Sequence, residues 1–336
     1  MSSLSATPSI SMKARLLFSL HSLGFDLARF LRRRESGINR TIMKLFDLKS
    51  PPCSSQINGA ASSLDVMVDP SRNLWLRLYR PWTSAATPLP VIIYFHGGGF
   101  CTMGADSRFY DIFCRSLASE TPAVVVSVNY RLAPEHRCPS QYEDGFDAVK
   151  FLDAVINLDG VDLGRCFLAG DSAGGNLAHH VAVRAAESEA ALKRVKITGL
   201  ISIQPFFGGE ERTESEMRMV GVPVINMEAT DWAWRSFLPE GSDRNHPAAN
   251  VLRLDVSKVV GFPAATMVVV GGFDPLQDRQ RSYHEWLVES GKEGVELLEY
   301  PNAVHAFYLM PDLPETPMLL ADIRDFIQRH AARPFN

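Results

Sequence analysis

Cys166-Phe167-Leu168-Ala169-Gly170-Asp171-Ser172-Ala173-Gly174-Gly175-Asn176-Leu177-Ala178-His179-His180-Val181 starts as an apolar run, turns on a serine set between glycines, and continues as a small-residue helical pattern. This is G-x-S-x-G in a strand-then-helix setting. The turn is so tight that side chains at Gly170 or Gly174 would clash, and the strained backbone pushes the Ser172 hydroxyl out at the carboxyl end of a sheet. A pattern this short arises by accident in about one chain in ten of this length. It therefore needs a second signal.

That signal is His96-Gly97-Gly98-Gly99-Phe100, directly after the apolar run Val91-Ile92-Ile93-Tyr94-Phe95. With 9 His and 23 Gly among 336 residues, a His followed by three Gly occurs by chance in about 0.3% of such chains. Glycines let a backbone approach a substrate closely and turn successive N–H groups toward one point. Together the two motifs offer a nucleophile and the donors for an oxyanion.

Outward from these motifs the chain alternates. Leu64–Val68 and Leu74–Tyr79 flank Asp69-Pro70-Ser71-Arg72-Asn73 and read as a hairpin. Apolar runs follow at 91–95, 123–128, 166–169, 197–203, 266–270 and 295–300. Helical patterns fall near 105–119, 141–157, 174–187, 277–290 and 316–330. Continuous apolar strands alternating with helices mean an α/β fold with a mostly parallel sheet covered on both faces, here eight strands with the first two antiparallel.

Two segments stand outside that rhythm. Leu16, Leu20, Leu23, Leu27, Phe30 and Leu31 trace one face of a helix ending in Arg32-Arg33-Arg34, and the pattern predicts that this face docks on the body of the protein. Residues 49–63 have the composition of a linker. Residues 206–255 hold no strand pattern but carry Phe206, Phe207, Met217, Met219, Met227, Trp232, Trp234 and Phe237, which reads as a helical cap over the strand ends. Most of these aromatics are expected in the cap's own core and a minority in a ligand pocket.

A serine hydroxyl needs a base, and the base needs a carboxylate to hold its tautomer. Both belong in loops at strand ends after the nucleophile. Strand 266–270 runs into Gly271-Gly272-Phe273-Asp274, and strand 295–300 into Pro301-Asn302-Ala303-Val304-His305. Asp274 and His305 therefore occupy the two required places. Asp278 is a rival acid, better suited to the start of the following helix. His284 and His330 fall within or at the end of helices and are rival bases. The expected oxyanion donors are the N–H groups of Gly97, Gly98 and Ala173. His96 is expected to brace the glycine loop, and Asp171 to be structural.

Composition narrows the function classes. With 34 Lys and Arg against 38 Asp and Glu, the net charge of −4 gives no reason to expect nucleic acid as a partner. Cys53, Cys101, Cys114, Cys138 and Cys166 are scattered and odd in number, without thiolate-zinc spacing. No metal or nucleotide motif occurs, so no cofactor is expected. The start of the chain lacks the unbroken apolar core of a signal peptide or membrane span. The expected setting is cytoplasmic, with a small-molecule substrate and no obligate protein partner.

His96–Gly99, Asn129-Tyr130-Arg131-Leu132-Ala133-Pro134-Glu135, Gly170–Gly175, Asp274-Pro275-Leu276 and His305-Ala306-Phe307 together resemble the hormone-sensitive-lipase-like branch of α/β-hydrolases, in particular plant carboxylesterases, the group that also contains the gibberellin receptors. The resemblance spans about residues 64–330. It implies an α/β-hydrolase fold with a triad of Ser172, Asp274 and His305. It also implies an oxyanion hole from Gly97, Gly98 and Ala173, and a cap built from residues 1–50 and 206–255. Residues 129–135 are mainly scaffold in such proteins, and Arg131 and Glu135 are read as an internal ion pair. The activity implied is hydrolysis of small to medium hydrophobic esters through an acyl-enzyme. The resembling receptors lack the triad histidine, whereas His305 is present. The alternatives are a non-hydrolytic dehydratase or cyclase on the same scaffold and a gibberellin-receptor-like hormone-binding protein.

Overall fold

The computed structural model describes residues 10–31, 37–54, 61–83, 87–154, 159–188, 192–222, 224–259 and 261–331. The strands are β1 Ser62–Asp69, β2 Leu74–Arg80, β3 Leu89–Phe95, β4 Val124–Asn129, β5 Val161–Asp171, β6 Ile197–Ile203, β7 Ala265–Phe273 and β8 Gly294–Val304. The helices are α1 Met12–Phe30, α2 Arg40–Phe46, α3 Arg108–Glu120, α4 Ser140–Ala154, α5 Ala173–Glu187, α6 Glu214–Arg218, α7 Met227–Phe237, α8 Gln277–Glu289 and α9 Glu315–Ala331. All eight expected strands are present. The first begins two residues inside the stretch read as a linker.

The sheet order is β1-β2-β4-β3-β5-β6-β7-β8. β2 is antiparallel to both of its neighbours, and every other pair is parallel. Alternation along the strands separates two cores. Val91, Ile93 and Phe95 point to the side covered by α4, α5 and α8, where Val149, Leu177, Val181 and Leu287 meet them. Ile92 and Tyr94 point to the side of α3 and α9, with Phe113, Leu117, Ile323 and Phe326. From β3 the chain moves one way to β4 and then the other way from β5 onward. The crevice beside β3 and β5 is therefore the switch point where such sheets bind ligands, and the glycine loop and Ser172 both emerge there.

The N-terminal helix departs from expectation. Leu16, Leu20, Leu23, Leu27, Phe30 and Leu31 are all exposed, by 38 to 81% of their surface. The opposite face, Ala14, Phe18, Ala28 and Arg29, is the buried one. The periodicity located the helix correctly and chose the wrong side, because a second set of residues shares the same period. Phe25 meets Trp232 of α7 edge-on with ring centres 5.4 Å apart, and Arg29 bonds Glu228 at 2.8 Å. Arg32-Arg33-Arg34 lies outside the described residues. The expected Arg131–Glu135 pair is also absent. Arg131 pairs with the fully buried Asp144 at 2.8 Å, while Glu135 takes Arg40 of α2, so the carboxylate ties the arm to the body. Among the described residues no helix is long and apolar enough to cross a membrane.

Two fully buried histidines, His96 and His179, and the partly buried His180 carry a consequence for stability. Desolvation pushes His96 down to about 4, His180 down to about 3 and His179 well below its ordinary value. Each takes up a proton on unfolding below about pH 6.5 but not in the folded protein, so stability is lost as pH falls through that value. At pH 5.5 the loss is on the order of 1 kcal/mol for each and a few kcal/mol together. Urea unfolding at pH 7.5 and 5.5 is expected to show a fall of that size. Equal stability at the two values would contradict it.

Candidate active site

Ser172 sits between β5 and α5 with φ 51° and ψ −119°, a left-handed conformation that a serine adopts only under constraint. The constraint is visible in its neighbours. A Cβ on Gly174 would fall 1.9 Å from the Phe95 carbonyl oxygen, and one on Gly170 would fall 2.2 Å from the Gly174 carbonyl oxygen. Both obstacles are backbone, so neither can move aside. The serine is 9% exposed, open only toward the pocket.

His305 and Asp274 meet it. Ser172 Oγ lies 2.9 Å from His305 Nε2, and His305 Nδ1 donates to Asp274 Oδ2 at 2.7 Å. With Nδ1 committed as donor, Nε2 presents a lone pair to the serine hydroxyl. Asp274 is fully buried and also accepts from Gln280 Nε2 and the Leu276 N–H, at 2.8 and 2.9 Å. The imidazole loop is held from β6, where Gln204 accepts the Ala306 N–H and donates to the Val304 carbonyl. The rivals lie elsewhere: Asp278 accepts the Ser215 N–H, His284 is in mid-α8, and His330 contacts Glu296 from the end of α9.

The oxyanion donors need one correction. The Gly97 N–H is already taken, by Tyr110 Oη at 2.7 Å and Asp171 Oδ1 at 3.0 Å, and Gly97 does not line the pocket. Its peptide faces away because a buried carboxylate behind the loop captures it. The next two residues do line the pocket, with Gly98 at φ 99° and Gly99 at φ 60°. No acceptor among the described residues takes the N–H of Gly98, Gly99 or Ala173. These three N–H groups are open, the last at the N-terminus of α5. His96 is buried beneath the loop, donating from Nδ1 to the Gly97 carbonyl at 2.8 Å and stacked on Tyr130.

The pocket above Ser172 has a volume of about 150 Å³. Leu17, Phe18 and Phe25 of α1 wall it on one side, and Val224, Ile225 and Ala233 on another. Of the aromatics in 206–255, Phe206 reaches the pocket, while Phe207, Trp232, Trp234 and Phe237 are buried in packing. Met217 is exposed. Among the described residues the lining contains no Lys or Arg.

Residues 92–309 match the family model of the α/β-hydrolase fold. The chain belongs to that family. It falls in the hormone-sensitive-lipase-like branch, among plant carboxylesterases and gibberellin receptors. A gibberellin receptor of Arabidopsis thaliana is 39% identical over 95% of this chain and 94% of its own length. A carboxylesterase of the same plant is 36% identical over 84% of this chain and 91% of its own. Among solved structures, the esterase of Pyrobaculum calidifontis superposes with a TM-score of 0.74 at 28% identity, over 96% of this chain and 99% of that one. Identity alone does not separate enzyme from receptor here.

The structure brings together Ser172, His305 and Asp274, which motif and strand position single out in the sequence, and leaves the N–H groups of Gly98 and Ala173 without an acceptor. Sequence reading missed Gly99, Gln204 and Gln280. A glycine run shows where a loop is but not which peptide faces out, and the two glutamines carry no motif. The turn itself makes a prediction. Gly170→Ala and Gly174→Ala should each destabilise the protein by more than about 4 kcal/mol. Gly164→Ala, whose Cβ would meet only the Asp162 side chain, should cost far less. Comparable thermal midpoints for all three variants would contradict the steric account.

Proposed function

We propose that the chain is a serine carboxylesterase. The observation that carries this reading is the continuous contact from Ser172 Oγ through His305 to Asp274, beside three N–H groups without another acceptor. His305 Nε2 takes the hydroxyl proton as Ser172 Oγ attacks the ester carbonyl carbon. The oxyanion is held by Gly98, Gly99 and Ala173, each donor supplying about 3 kcal/mol in the transition state. Collapse breaks the bond to the alcohol oxygen, which leaves with the proton from His305. Water then attacks the acyl-serine, giving its proton to His305; the bond from the acyl carbon to Ser172 Oγ breaks, His305 returns the proton to Oγ, and the acid departs.

The pocket supports a substrate class. A cavity of about 150 Å³ accommodates a single ring or a short acyl chain, and its apolar lining favours uncharged groups. A carboxylic acid such as a gibberellin would find no cationic side chain among the described lining residues. This weighs against a receptor of the kind the 39% identical relative is named for.

Ser172→Ala should lower p-nitrophenyl butyrate turnover by about 10⁵-fold or more, and Asp274→Asn by about 10⁴-fold. An organophosphate should leave its adduct on Ser172, seen by mass spectrometry, with turnover lost in parallel. A labelled serine with no ester turnover would point to elimination or ring closure. An unlabelled protein that binds a gibberellin tightly would overturn the enzyme reading. Within the hydrolase reading, kcat/KM for the butyrate ester should exceed that for palmitate by about tenfold or more. The reverse preference would refute the pocket argument.

A further inference from the structure

The residue before the nucleophile is 1% exposed, and four donors converge on its carboxylate. The Tyr94 hydroxyl and the Gly97 N–H reach Asp171 Oδ1 at 2.6 and 3.0 Å. The hydroxyls of Tyr110 and Tyr308 reach Oδ2 at 2.7 and 2.8 Å. Two donors on each oxygen satisfy a carboxylate fully, and they do so without a hydrogen bond or ion pair from Lys or Arg among the described residues. The group also sits at the positive end of α5. Burial pushes its carboxyl up, and the three phenol bonds pull it back.

The origin of the donors gives the arrangement its meaning. Gly97 belongs to the oxyanion loop, and Tyr110 stands on α3 behind that loop. Tyr308 follows His305 by three residues, and Tyr94 lies on β3. A single carboxylate, one bond away in the chain from Ser172, therefore joins three separately emerging segments of the site. By capturing the Gly97 N–H it turns that peptide inward, and the following two N–H groups face the pocket. The fit is close, since a Cβ on Gly97 would lie 2.6 Å from Asp171 Oδ2 and 2.8 Å from Tyr110 Oη.

We propose that Asp171 is the positioning residue of this site: its carboxylate locks the oxyanion loop and the histidine loop to the nucleophile turn, so that the Gly98 and Gly99 N–H groups and His305 Nε2 converge on one reacting centre. The proposal rests on the hydrolase reading. Asp171 borders the pocket, but its carboxylate is 1% exposed and both oxygens are taken by donors from the loops, so it acts through the loops it holds.

Asp171→Asn keeps the shape but removes the charge and replaces one acceptor oxygen with a donor, so the two groups that donate to that oxygen lose their acceptor. Tyr308→Phe removes one tether alone, and Tyr110→Phe removes one tether together with a second acceptor of the Gly97 N–H. The measurements are kcat and KM for p-nitrophenyl butyrate, the rate of Ser172 phosphorylation by an organophosphate, and the thermal midpoint. For folded Asp171→Asn, kcat and the phosphorylation rate should both fall by about 10² to 10³, the cost of a misplaced oxyanion donor, with KM within about threefold of the parent. The two phenylalanine variants should lose about tenfold in kcat at unchanged KM. A residue that merely stabilises the fold would lower the thermal midpoint and leave kcat in place. A folded Asp171→Asn with kcat within about threefold of the parent, or a loss residing in KM, overturns the proposal. If that variant does not fold, the phenylalanine variants decide: undiminished kcat in both overturns it. Turnover that survives Ser172→Ala would instead overturn the hydrolase reading.

Discussion

Gly174 packs so tightly on the carbonyl of Phe95 that a single added carbon would fall 1.9 Å from its oxygen. That contact presses the start of α5 against the end of β3 and leaves Ser172 no conformation but a left-handed one. The hydroxyl is held outward, and the helix N-terminus is set beside the glycine loop that leaves β3. Because β3 and β5 are hydrogen-bonded neighbours at the switch point of the sheet, Ser172 and the open N–H groups of the glycine loop come from adjacent strand ends. The remaining parts of the site are brought to this fixed point. Gln204 and Gln280 orient the histidine and its carboxylate, and Asp171 gathers the loops from behind.

Much of this was legible in the sequence because it follows from short-range patterns. The apolar runs gave all eight strands, and the glycines around Ser172 announced the turn. Asp274 and His305 followed from their places after strands. What escaped depended on contacts between distant segments. Gly97 is expected to offer an open N–H, but nothing local reveals that Asp171 and Tyr110 take it. The arm helix showed a leucine stripe that proved to be its outer face. A helix that closes a pocket instead of a core can bury alanines, a phenylalanine and an arginine, so the larger stripe is not a guide to the docked side. Arg131 and Glu135 are near each other in the chain, but each found a better partner elsewhere, Asp144 and Arg40.

The family places chemistry and hormone recognition on one scaffold, and relatives of both kinds cover most of this chain at similar identity. Here the imidazole is in contact with Ser172, and no cation lines the cavity among the described residues. The arm supplies Leu17, Phe18 and Phe25 to that cavity, so the segment that completes the fold's outer layer also sets the size of what enters.

A crystal structure of the protein after reaction with a short-chain p-nitrophenyl phosphonate tests the central contact most directly. The account predicts phosphorus bonded to Ser172 Oγ, with the phosphoryl oxygen about 3 Å from the N–H groups of Gly98, Gly99 and Ala173, and His305 still bonded to Asp274. An unmodified serine, or an adduct whose oxygen points away from those three amides with the imidazole out of reach, would contradict it.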